Sequence, residues 1–368
     1  MKNAFKKFFF AIISLPVLLI ITGLDSSLQS ENRTYKSFPI IQLGSEGETV
    51  SIRSIYHSIV EFKSEFESYF EDVLPVKKLA LDPVIFLHRR LMGKNPLPLK
   101  TVEGEDGWMF LGNSFSHALD ESLGISIFDD PELIFLKERL IHKIHFSDSL
   151  GIPYFIAVAP NKLSVYHRHL PIVYTPELTK FQQVRHLCEE IGIPLIDLSQ
   201  GLGTEEDHYY KTDSHWTDLG AYIGYQNLIK GLRLSRVIPV PESRLSYFES
   251  QDEHDLIKML NLQVAEISQE IDLLNPTFKK AQKQLTIPTA YNLGPELYEK
   301  RLQSKNNDIK VLIFRDSFTQ QMEPFIGETF GESLFIWDHT FDKDLIIREK
   351  PDLVVHILIE RNLEVLVQ

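Results

Sequence analysis

Hydrophobic residues along the chain form two alternating patterns. Continuous apolar runs of strand length occur at 153–159, 194–198, 310–314, 333–337 and 352–359. Such runs are typical of strands that are buried on both faces of a parallel sheet. Between the runs, apolar residues recur every three or four positions, which predicts helices over 130–150, 176–191, 221–232 and 345–349. The alternation predicts an α/β fold, a doubly wound parallel sheet of about five strands with right-handed crossovers.

The N-terminus carries a short basic stretch followed by an apolar segment. Lys2, Lys6 and Lys7 precede the apolar run 8–24, whose length is at the lower limit of about 17 residues for crossing a bilayer. This pattern predicts an uncleaved signal anchor that keeps the lysines in the cytoplasm and places the rest of the chain in the periplasm. A cleaved signal peptide, which would leave a soluble periplasmic protein, is the alternative.

Changes in pattern along the chain predict its domain organisation. We expect a signal anchor and polar linker over 1–30, then a helical extension over 31–104, where apolar residues recur at helical spacing between 54 and 90. The sheet domain is predicted over 105–368. Its alternation of strands and helices is interrupted at about 236–305, which we interpret as an insertion with one helical stretch at 255–262.

Composition excludes several classes of function. The formal net charge is −13, which argues against a protein that mainly binds nucleic acid. Cys188 is the single cysteine of the sequence. An intrachain disulfide and zinc sites with two or four cysteines are therefore excluded.

Two polar turns at predicted strand ends carry candidate chemistry, because ligands bind at the carboxyl edge of such sheets. Ser317 follows the strand 310–314 and begins a helix that runs to about 326, so its hydroxyl is exposed beside free helix amides. A serine needs a base to accept its proton, and His215 titrates in a suitable range. Asp213, two residues earlier, can orient the imidazole and stabilise its charged form.

Each turn also has a simpler interpretation. A serine at such a position is commonly an ordinary helix cap, and the Asp–His segment is open to interpretation as a surface loop. It also contains ligand types for a metal ion, although without an established spacing. That alternative metal site would use the residues Asp207, His208, Asp213 and His215.

The order of strands and polar turns resembles that of a circularly permuted SGNH hydrolase. The motifs are similar to those of the alginate O-acetylation proteins of the AlgX/AlgJ type, and the resemblance covers nearly the whole predicted exported chain. The motifs that carry it are Glu31-Asn-Arg33 with Pro39, Phe66-Glu-Ser-Tyr-Phe70, Asp106-Gly-Trp-Met-Phe110, Pro160-Asn-Lys162, Thr212-Asp-Ser-His-Trp216, Arg315-Asp-Ser-Phe318, and Pro351-Asp352 with Glu360-Arg361.

This resemblance implies roles for the three central residues. Ser317 is implied as the nucleophile, His215 as the base and Asp213 as the residue that orients it. The implied activity is O-acetylation of an exported polysaccharide acceptor, with a multipass membrane acyltransferase as the acetyl donor. We expect no cofactor, no metal and no nucleic-acid partner, and contact with the membrane through the N-terminal helix. An esterase with the same residues and a non-catalytic envelope scaffold are the alternatives.

Four further residues are candidates for binding the oxyanion or the substrate. Asn161 and Arg361 are the side-chain candidates for the oxyanion, beside the Ser317 amide. Arg315 stands where many relatives have glycine, so it could contact an acidic sugar or the oxyanion, or narrow the pocket. Trp216 could stack on a sugar ring, or simply pack beside the catalytic residues.

Overall fold

The computed structural model describes residues 95, 98–170, 172, 174–205, 208–260, 262, 264–281 and 298–367. The predicted anchor at 8–24 and the helical pattern at 54–90 lie outside these residues, as does Asp207. Within the described ranges, no helix is both long enough and apolar enough to cross a bilayer.

The described residues form eleven strands and eight α-helices. The strands are β1 (Thr101–Glu103), β2 (Met109–Leu111), β3 (Tyr154–Ala159), β4 (Leu195–Asp197), β5 (Leu245–Asp252), β6 (Glu266–Leu273), β7 (Lys279–Lys280), β8 (Glu299–Gln303), β9 (Lys310–Arg315), β10 (Glu332–Ile336) and β11 (Leu353–Ile359). The helices are α1 (Ala118–Ser122), α2 (Asp130–Ser149), α3 (Lys162–Tyr166), α4 (Lys180–Ile191), α5 (Asp218–Leu232), α6 (Asp255–Met259), α7 (Glu323–Thr329) and α8 (Lys343–Glu349). The 3-10 segments include Ser317–Met322 and Glu360–Val367.

The main sheet has seven strands in the order β4-β3-β11-β9-β10-β8-β7. The first five are mutually parallel and coincide with the five predicted apolar runs, so that part of the predicted fold is confirmed. The sheet is nevertheless mixed and not wholly parallel, because β8 pairs antiparallel with β10 and β7 pairs antiparallel with β8. These two strands are rich in charged residues and carry no apolar run, which is why the hydrophobic pattern did not reveal them.

Both faces of the parallel strands are covered. On one face, alternate residues such as Ala157, Ile313 and Val355 join the core cluster that contains Tyr225 and Leu228 of α5. On the other face, aromatic rings from β3 and β9 pack with rings from outside the sheet. Tyr154 lies 5.4 Å from Phe341 between ring centroids, and Phe341 in turn contacts Phe146 of α2. Such double coverage is what continuous apolar strands require.

Polar capping residues set where the helices begin. α4 starts at Lys180, four residues later than predicted, because Thr179 forms a capping box with Gln182. α5 starts at Asp218, three residues earlier than predicted, because the Thr217 side chain accepts a hydrogen bond from the Gly220 amide. The predicted start of α2 at Asp130 is confirmed.

A long β-hairpin lies within the predicted insertion at about 236–305. Strands β5 and β6 pair antiparallel over eight residues each, from Leu245 opposite Leu273 to Asp252 opposite Glu266. The Ile271 amide donates a 2.9 Å hydrogen bond to Asp218 at the start of α5. The hairpin is therefore attached at the N-terminal end of the helix that follows the Asp–His segment. The division into 1–30, 31–104 and 105–368 stays a prediction.

Candidate active site

Ser317 lies immediately beyond the carboxyl end of β9, as the first residue of the 3-10 segment Ser317–Met322. The preceding Asp316 holds the turn in place. Its Oδ1 atom accepts a hydrogen bond from the Phe318 amide at 3.0 Å, and its Oδ2 atom accepts one from the Ile359 amide at 2.8 Å. The carboxylate thereby fastens the serine turn to the end of the neighbouring strand β11.

The structure brings Ser317, His215 and Asp213 together. The distance from Ser317 Oγ to His215 Nε2 is 2.8 Å, and the distance from His215 Nδ1 to Asp213 Oδ1 is 2.7 Å. Asp213 Oδ1 also accepts a 2.9 Å hydrogen bond from the His215 amide, so the aspartate curls back over its own loop. With the proton on Nδ1, His215 Nε2 can accept the serine proton, which is the arrangement required of a general base.

Ser317, His215 and Asp213 together form what we call the relay. Within it, Asp213 and His215 stabilise each other's charged forms. Burial alone would lower the pKa of His215, but the hydrogen bond and negative charge of Asp213 raise it above its usual range. Burial alone would raise the pKa of Asp213, but His215 and the backbone amides of Asp255 and His215 lower it below its usual range. Asp213 is therefore an anion at neutral pH, and it favours the imidazolium that forms when His215 accepts a proton.

Lys162 contacts the backbone of the Asp–His loop. In the sequence it was noted only as part of the motif Pro160-Asn-Lys162. Its buried ammonium donates three hydrogen bonds to backbone carbonyls, to Met109 at 2.6 Å, Lys211 at 2.8 Å and Asp213 at 2.9 Å. Burial lowers its pKa to about 7. All three donors of the side chain are used to fix backbone positions around the relay.

Two carboxylates from the insertion, those of Glu266 and Asp255, accept hydrogen bonds from backbone amides of the same loop. Glu266 accepts hydrogen bonds from the Lys211 amide at 2.8 Å and from the Thr212 amide and hydroxyl at 2.8 and 2.6 Å. Asp255 accepts from the Ser214 amide at 2.8 Å, and its own amide donates to Asp213 Oδ2 at 3.0 Å. The sequence offered only one signal for them, an aspartate at the start of a predicted helix.

Asn161 and Arg361 lie next to each other beside the relay. Arg361 Nη1 donates to Asn161 Oδ1 at 3.3 Å, and its guanidinium lies 5.2 Å from the centroid of the Phe318 ring. Asn161 Nδ2 donates to Ser122 at 3.2 Å. One N–H of the Asn161 side-chain amide is thus used by Ser122 and the other remains, whereas Arg361 keeps several charged N–H donors for a ligand. Arg361 is therefore the better side-chain candidate for an oxyanion.

Arg315 and Trp216 are both buried among other side chains. Arg315 is 1% exposed, and its Nη2 atom lies 3.0 Å from Glu323 Oε1, with the guanidinium 4.2 Å from the Trp337 ring centroid. Trp216 is fully buried, and its indole N–H donates to the Phe318 carbonyl at 3.0 Å. The Arg315 side chain at the end of β9 thus points into the interior, and its expected contact with an acidic sugar or the oxyanion, or its narrowing of the pocket, stays a prediction. Of the two interpretations of Trp216, packing is the one that the structure shows.

Three residues of the site could also hold a cation. Asp213, His215 and Asp255 each offer a ligand atom, and these atoms lie within 4.8 Å of one another. This set differs from the alternative metal site considered above, since His208 Nδ1 instead accepts a hydrogen bond from the Gly203 amide at 3.1 Å. His215 Nδ1 and Asp213 are already hydrogen-bonded to each other. A cation here would have to compete with the relay.

Comparisons with known proteins find similarity to O-acetylation proteins. The family model described as "SGNH hydrolase-like domain, acetyltransferase AlgX" matches residues 101–284, half of the chain. That stretch contains Asp213 and His215 and ends before Ser317. The probable alginate O-acetylase AlgJ of Pseudomonas aeruginosa is 27% identical over 187 residues, which cover 48% of this chain and 44% of that protein. The match therefore spans less than half the length of this relative.

Solved structures support the fold. PatB1 of Bacillus cereus with a sulfonyl adduct is similar at a TM-score of 0.54 and 19% identity, over 70% of this chain and 94% of that one. A DHHW family protein from Eubacterium siraeum is similar at a TM-score of 0.51 and 14% identity, over 71% and 94% of the two chains. With the family model matching half of its length, this chain belongs to the SGNH hydrolase-like acetyltransferase family of AlgX and AlgJ.

Proposed function

We propose that this protein transfers acetyl groups onto hydroxyls of an exported polysaccharide through an acetyl-enzyme formed on Ser317. The observation that supports the proposal is the hydrogen-bonded series of the three side chains. Ser317 Oγ lies 2.8 Å from His215 Nε2, and His215 Nδ1 lies 2.7 Å from Asp213 Oδ1. Family membership supports the acyl chemistry, and the name of AlgJ supports a polysaccharide as acceptor.

In the first step, Ser317 Oγ attacks the carbonyl carbon of an acetyl ester while His215 Nε2 takes the serine proton. A bond forms between Oγ and the carbonyl carbon, and the bond to the donor oxygen breaks as His215 returns the proton to that oxygen. The intermediate oxyanion is stabilised by the Ser317 amide and the free N–H groups of Arg361. Loss of one such donor typically costs about 3 kcal/mol of transition-state stabilisation.

In the second step, a hydroxyl of the acceptor attacks the acetyl group on Ser317. His215 takes the hydroxyl proton and gives it to Ser317 Oγ, which restores the free serine. The negative charge of Asp213 favours the imidazolium in both steps. Beside Ser214 and Arg361, a small cleft of about 10 Å³ is lined partly by Leu111, Ala118 and Leu163. That volume is about what a single water molecule needs, so the cleft would have to open for an acetyl group to enter.

The finer parts of the proposal concern place and partners. The predicted segment 8–24 would anchor the chain in the inner membrane with the catalytic residues in the periplasm. A multipass membrane acyltransferase would then supply the acetyl group. An anchored protein is close to such a donor, which favours transfer over hydrolysis.

The test uses the full-length chain in detergent micelles with 4-nitrophenyl acetate. We expect an acetyl adduct on Ser317 by intact mass and peptide mapping, and no turnover in Ser317→Ala or His215→Ala. Ser235→Ala is the matched control, since Ser235 is exposed and lies beyond the C-terminal end of α5, the helix that follows the Asp–His segment. Neutral and acidic oligosaccharides are then added as acceptors.

Two outcomes would contradict parts of the proposal. If the adduct is discharged to water at the same rate with or without an acceptor, the protein is an esterase. If wild type shows neither adduct nor turnover above Ser317→Ala, also when reconstituted with membranes that contain the donor, the catalytic proposal fails and the scaffold alternative stands.

A further inference from the structure

A histidine outside the relay faces the aspartate of the relay. His254 follows β5 and directly precedes α6, within the insertion. Its side chain is 11% exposed, and its Nδ1 atom lies 3.5 Å from Oδ2 of Asp213. The relay uses the other oxygen of this carboxylate, Oδ1, to bind His215. His254 therefore meets Asp213 at the oxygen that His215 does not use.

Two segments of the chain contact the Asp213 carboxylate. Oδ1 accepts hydrogen bonds from the amide and from Nδ1 of His215, at 2.9 and 2.7 Å. Oδ2 accepts one from the Asp255 amide at 3.0 Å and faces His254. The torsion about the Cβ–Cγ bond of an aspartate is broad, and rotation about it would carry Oδ1 away from His215. Contacts at Oδ2 oppose this rotation.

The charge of Asp213 decides which atom His254 presents to it. Asp213 is an anion at neutral pH, so a lone pair on Nδ1 would be repelled by Oδ2, whereas an N–H there is attracted. The distance of 3.5 Å is longer than the about 2.7–3.2 Å that is common for N–H···O bonds. Hydrogen bonds in active sites are often long in the free enzyme and shorten in the complex that reacts.

The ordinary structural roles of a histidine do not account for His254. Although it precedes α6, its side chain makes no capping hydrogen bond to that helix. Among the residues that the structure describes, its Nε2 atom is buried and has no hydrogen-bond partner, which costs free energy of folding. A phenyl ring at this position would avoid that cost. The presence of a nitrogen ring here therefore points to a task for Nδ1.

The ring of His254 is held in place by an aromatic neighbour. It lies 4.4 Å from the ring of Tyr210 between centroids. The Tyr210 hydroxyl in turn donates to both carboxylate oxygens of Glu270 on β6, at 2.9 and 3.0 Å. Because Tyr210 is fixed at its hydroxyl end, it supports the imidazole and directs Nδ1 towards Asp213.

We propose that His254 is a positioning residue of the relay, whose Nδ1–H holds Oδ2 of Asp213 so that Oδ1 stays directed at His215. It does not touch the reacting atoms and acts only through Asp213. The proposal rests on the proposed function for the reaction whose rate it affects. The orientation of Asp213, however, is measurable without any reaction.

Two substitutions in the full-length protein separate this role from packing. His254→Phe keeps a ring against Tyr210 and removes the Nδ1 donor. We expect it to slow acetylation of Ser317 by 4-nitrophenyl acetate about tenfold, the scale of one hydrogen bond to a charged group. Its urea unfolding midpoint should equal or exceed that of wild type, because the buried Nε2 is removed as well.

His254→Asn makes the converse change. Its side-chain amide offers an N–H at the place of Nδ1, but the ring that packs on Tyr210 is lost. We expect the acetylation rate to stay within about threefold of wild type, since most of the hydrogen bond is restored, while the urea midpoint falls. If His254 served packing alone, the rates of the two variants would follow their stabilities, and His254→Asn would be the slower one.

A histidine elsewhere in the fold provides the matched control. His142 is exposed on α2, so His142→Phe introduces the same change of residue type away from the relay. Its acetylation rate and urea midpoint should equal those of wild type. The unfolding curves identify any variant that fails to fold.

Proton NMR reports the orientation of Asp213 without substrate. The proton between His215 Nδ1 and Asp213 Oδ1 should give a low-field resonance in wild type that is absent from Asp213→Asn. His254→Phe should shift or broaden this resonance, because the carboxylate is freer to rotate. His254→Asn and His142→Phe should leave it in place.

The proposal is overturned if His254→Phe acetylates Ser317 as fast as His142→Phe, if folded His254→Asn is slower than His254→Phe, or if the low-field resonance is unchanged in His254→Phe. The fate of the proposed function is read separately, from acetyl adduct formation in wild type. A protein without an adduct whose resonance moves in His254→Phe keeps the positioning of Asp213 and loses the transferase. A protein with an adduct but with unchanged rate and resonance in His254→Phe keeps the transferase and loses the role of His254.

Discussion

Replacing Glu266 by alanine tests whether the insertion hairpin positions the catalytic loop. Glu266 lies on β6, and its carboxylate accepts three hydrogen bonds from Lys211 and Thr212, directly before Asp213. It does not touch the reacting atoms. Any effect of Glu266→Ala on turnover must therefore pass through the position of the Asp–His segment.

The size of the effect follows from those three contacts. Hydrogen bonds to a charged group contribute about 1.5–3 kcal/mol each when buried. Because Glu266 is half-buried and the three bonds share one carboxylate, we expect a loss of about 2–4 kcal/mol in the free energy of unfolding. A displacement of the catalytic base by about 1 Å costs about a hundredfold in rate. We therefore expect the rate constant for Ser317 acetylation to fall about 10- to 100-fold.

The assay combines 4-nitrophenyl acetate turnover with urea unfolding for three variants. Glu266→Gln retains one acceptor oxygen and should lose an intermediate amount of both rate and stability. Glu249→Ala is the control, because Glu249 is exposed on the paired strand β5 and its side chain has no hydrogen-bond partner among the described residues. A Glu266→Ala protein whose acetylation rate stays within twofold of Glu249→Ala would falsify the positioning role of the hairpin.

Three further predictions concern the relay and its surroundings. Since Asp213 raises the pKa of His215, the rate should fall on the acid side with a midpoint above the ordinary histidine value. In Asp213→Asn that midpoint should move to lower pH while the maximal rate drops by about 10⁴, and an unmoved midpoint in the pH–rate profile argues against the relay. Lys162 has a pKa of about 7 in the folded protein, below its pKa in the unfolded chain. Above pH 7 the unfolded state therefore binds more protons than the folded state. The contribution of Lys162 to stability should rise with pH from there to about 10.5. The difference in urea unfolding between wild type and Lys162→Met should accordingly grow between pH 7 and 9.5, and a constant difference contradicts it. Arg361→Ala should lower the Ser317 acetylation rate about a hundredfold with little change in melting temperature if its free donors hold the oxyanion, whereas an unchanged rate assigns that task to the backbone amide alone.

The hydrophobic pattern predicted the parallel part of the sheet because each of those strands contains a stretch of consecutive apolar residues. It missed β8, where Arg301 is buried in the sheet and neutralised by Glu349 at 2.9 Å and by Glu332. Charged side chains in a strand look like a surface loop until their partners are known. Ion pairs between residues distant in the sequence leave no local pattern.

Some residues of the candidate site could also be predicted from the sequence, and others could not. Ser317 and His215 could be proposed because the chemistry of a serine nucleophile demands a base, and strand ends meet at one edge of the sheet. Glu266 and Asp255 could not be proposed, because their role is to bind backbone amides about 40 to 55 residues away in the sequence. The burial of Arg315 could not be predicted, because a side chain at the end of a strand can point to either face, and residue type alone does not say which.

The position of β11 has a consequence for how the protein folds. Although it is the strand nearest the C-terminus of this chain, it lies in the middle of the sheet between β3 and β9, and pairs Val354 with Tyr154. Until it has been synthesised, β3–β4 and β9–β10 are two separate ladders, each with an unpaired inner edge that is prone to aggregation. Contacts between residues so far apart in sequence form slowly. The growing chain therefore stays open at this point until residues 353–359 have been made, and the serine and histidine cannot be held in register until β11 has closed the gap.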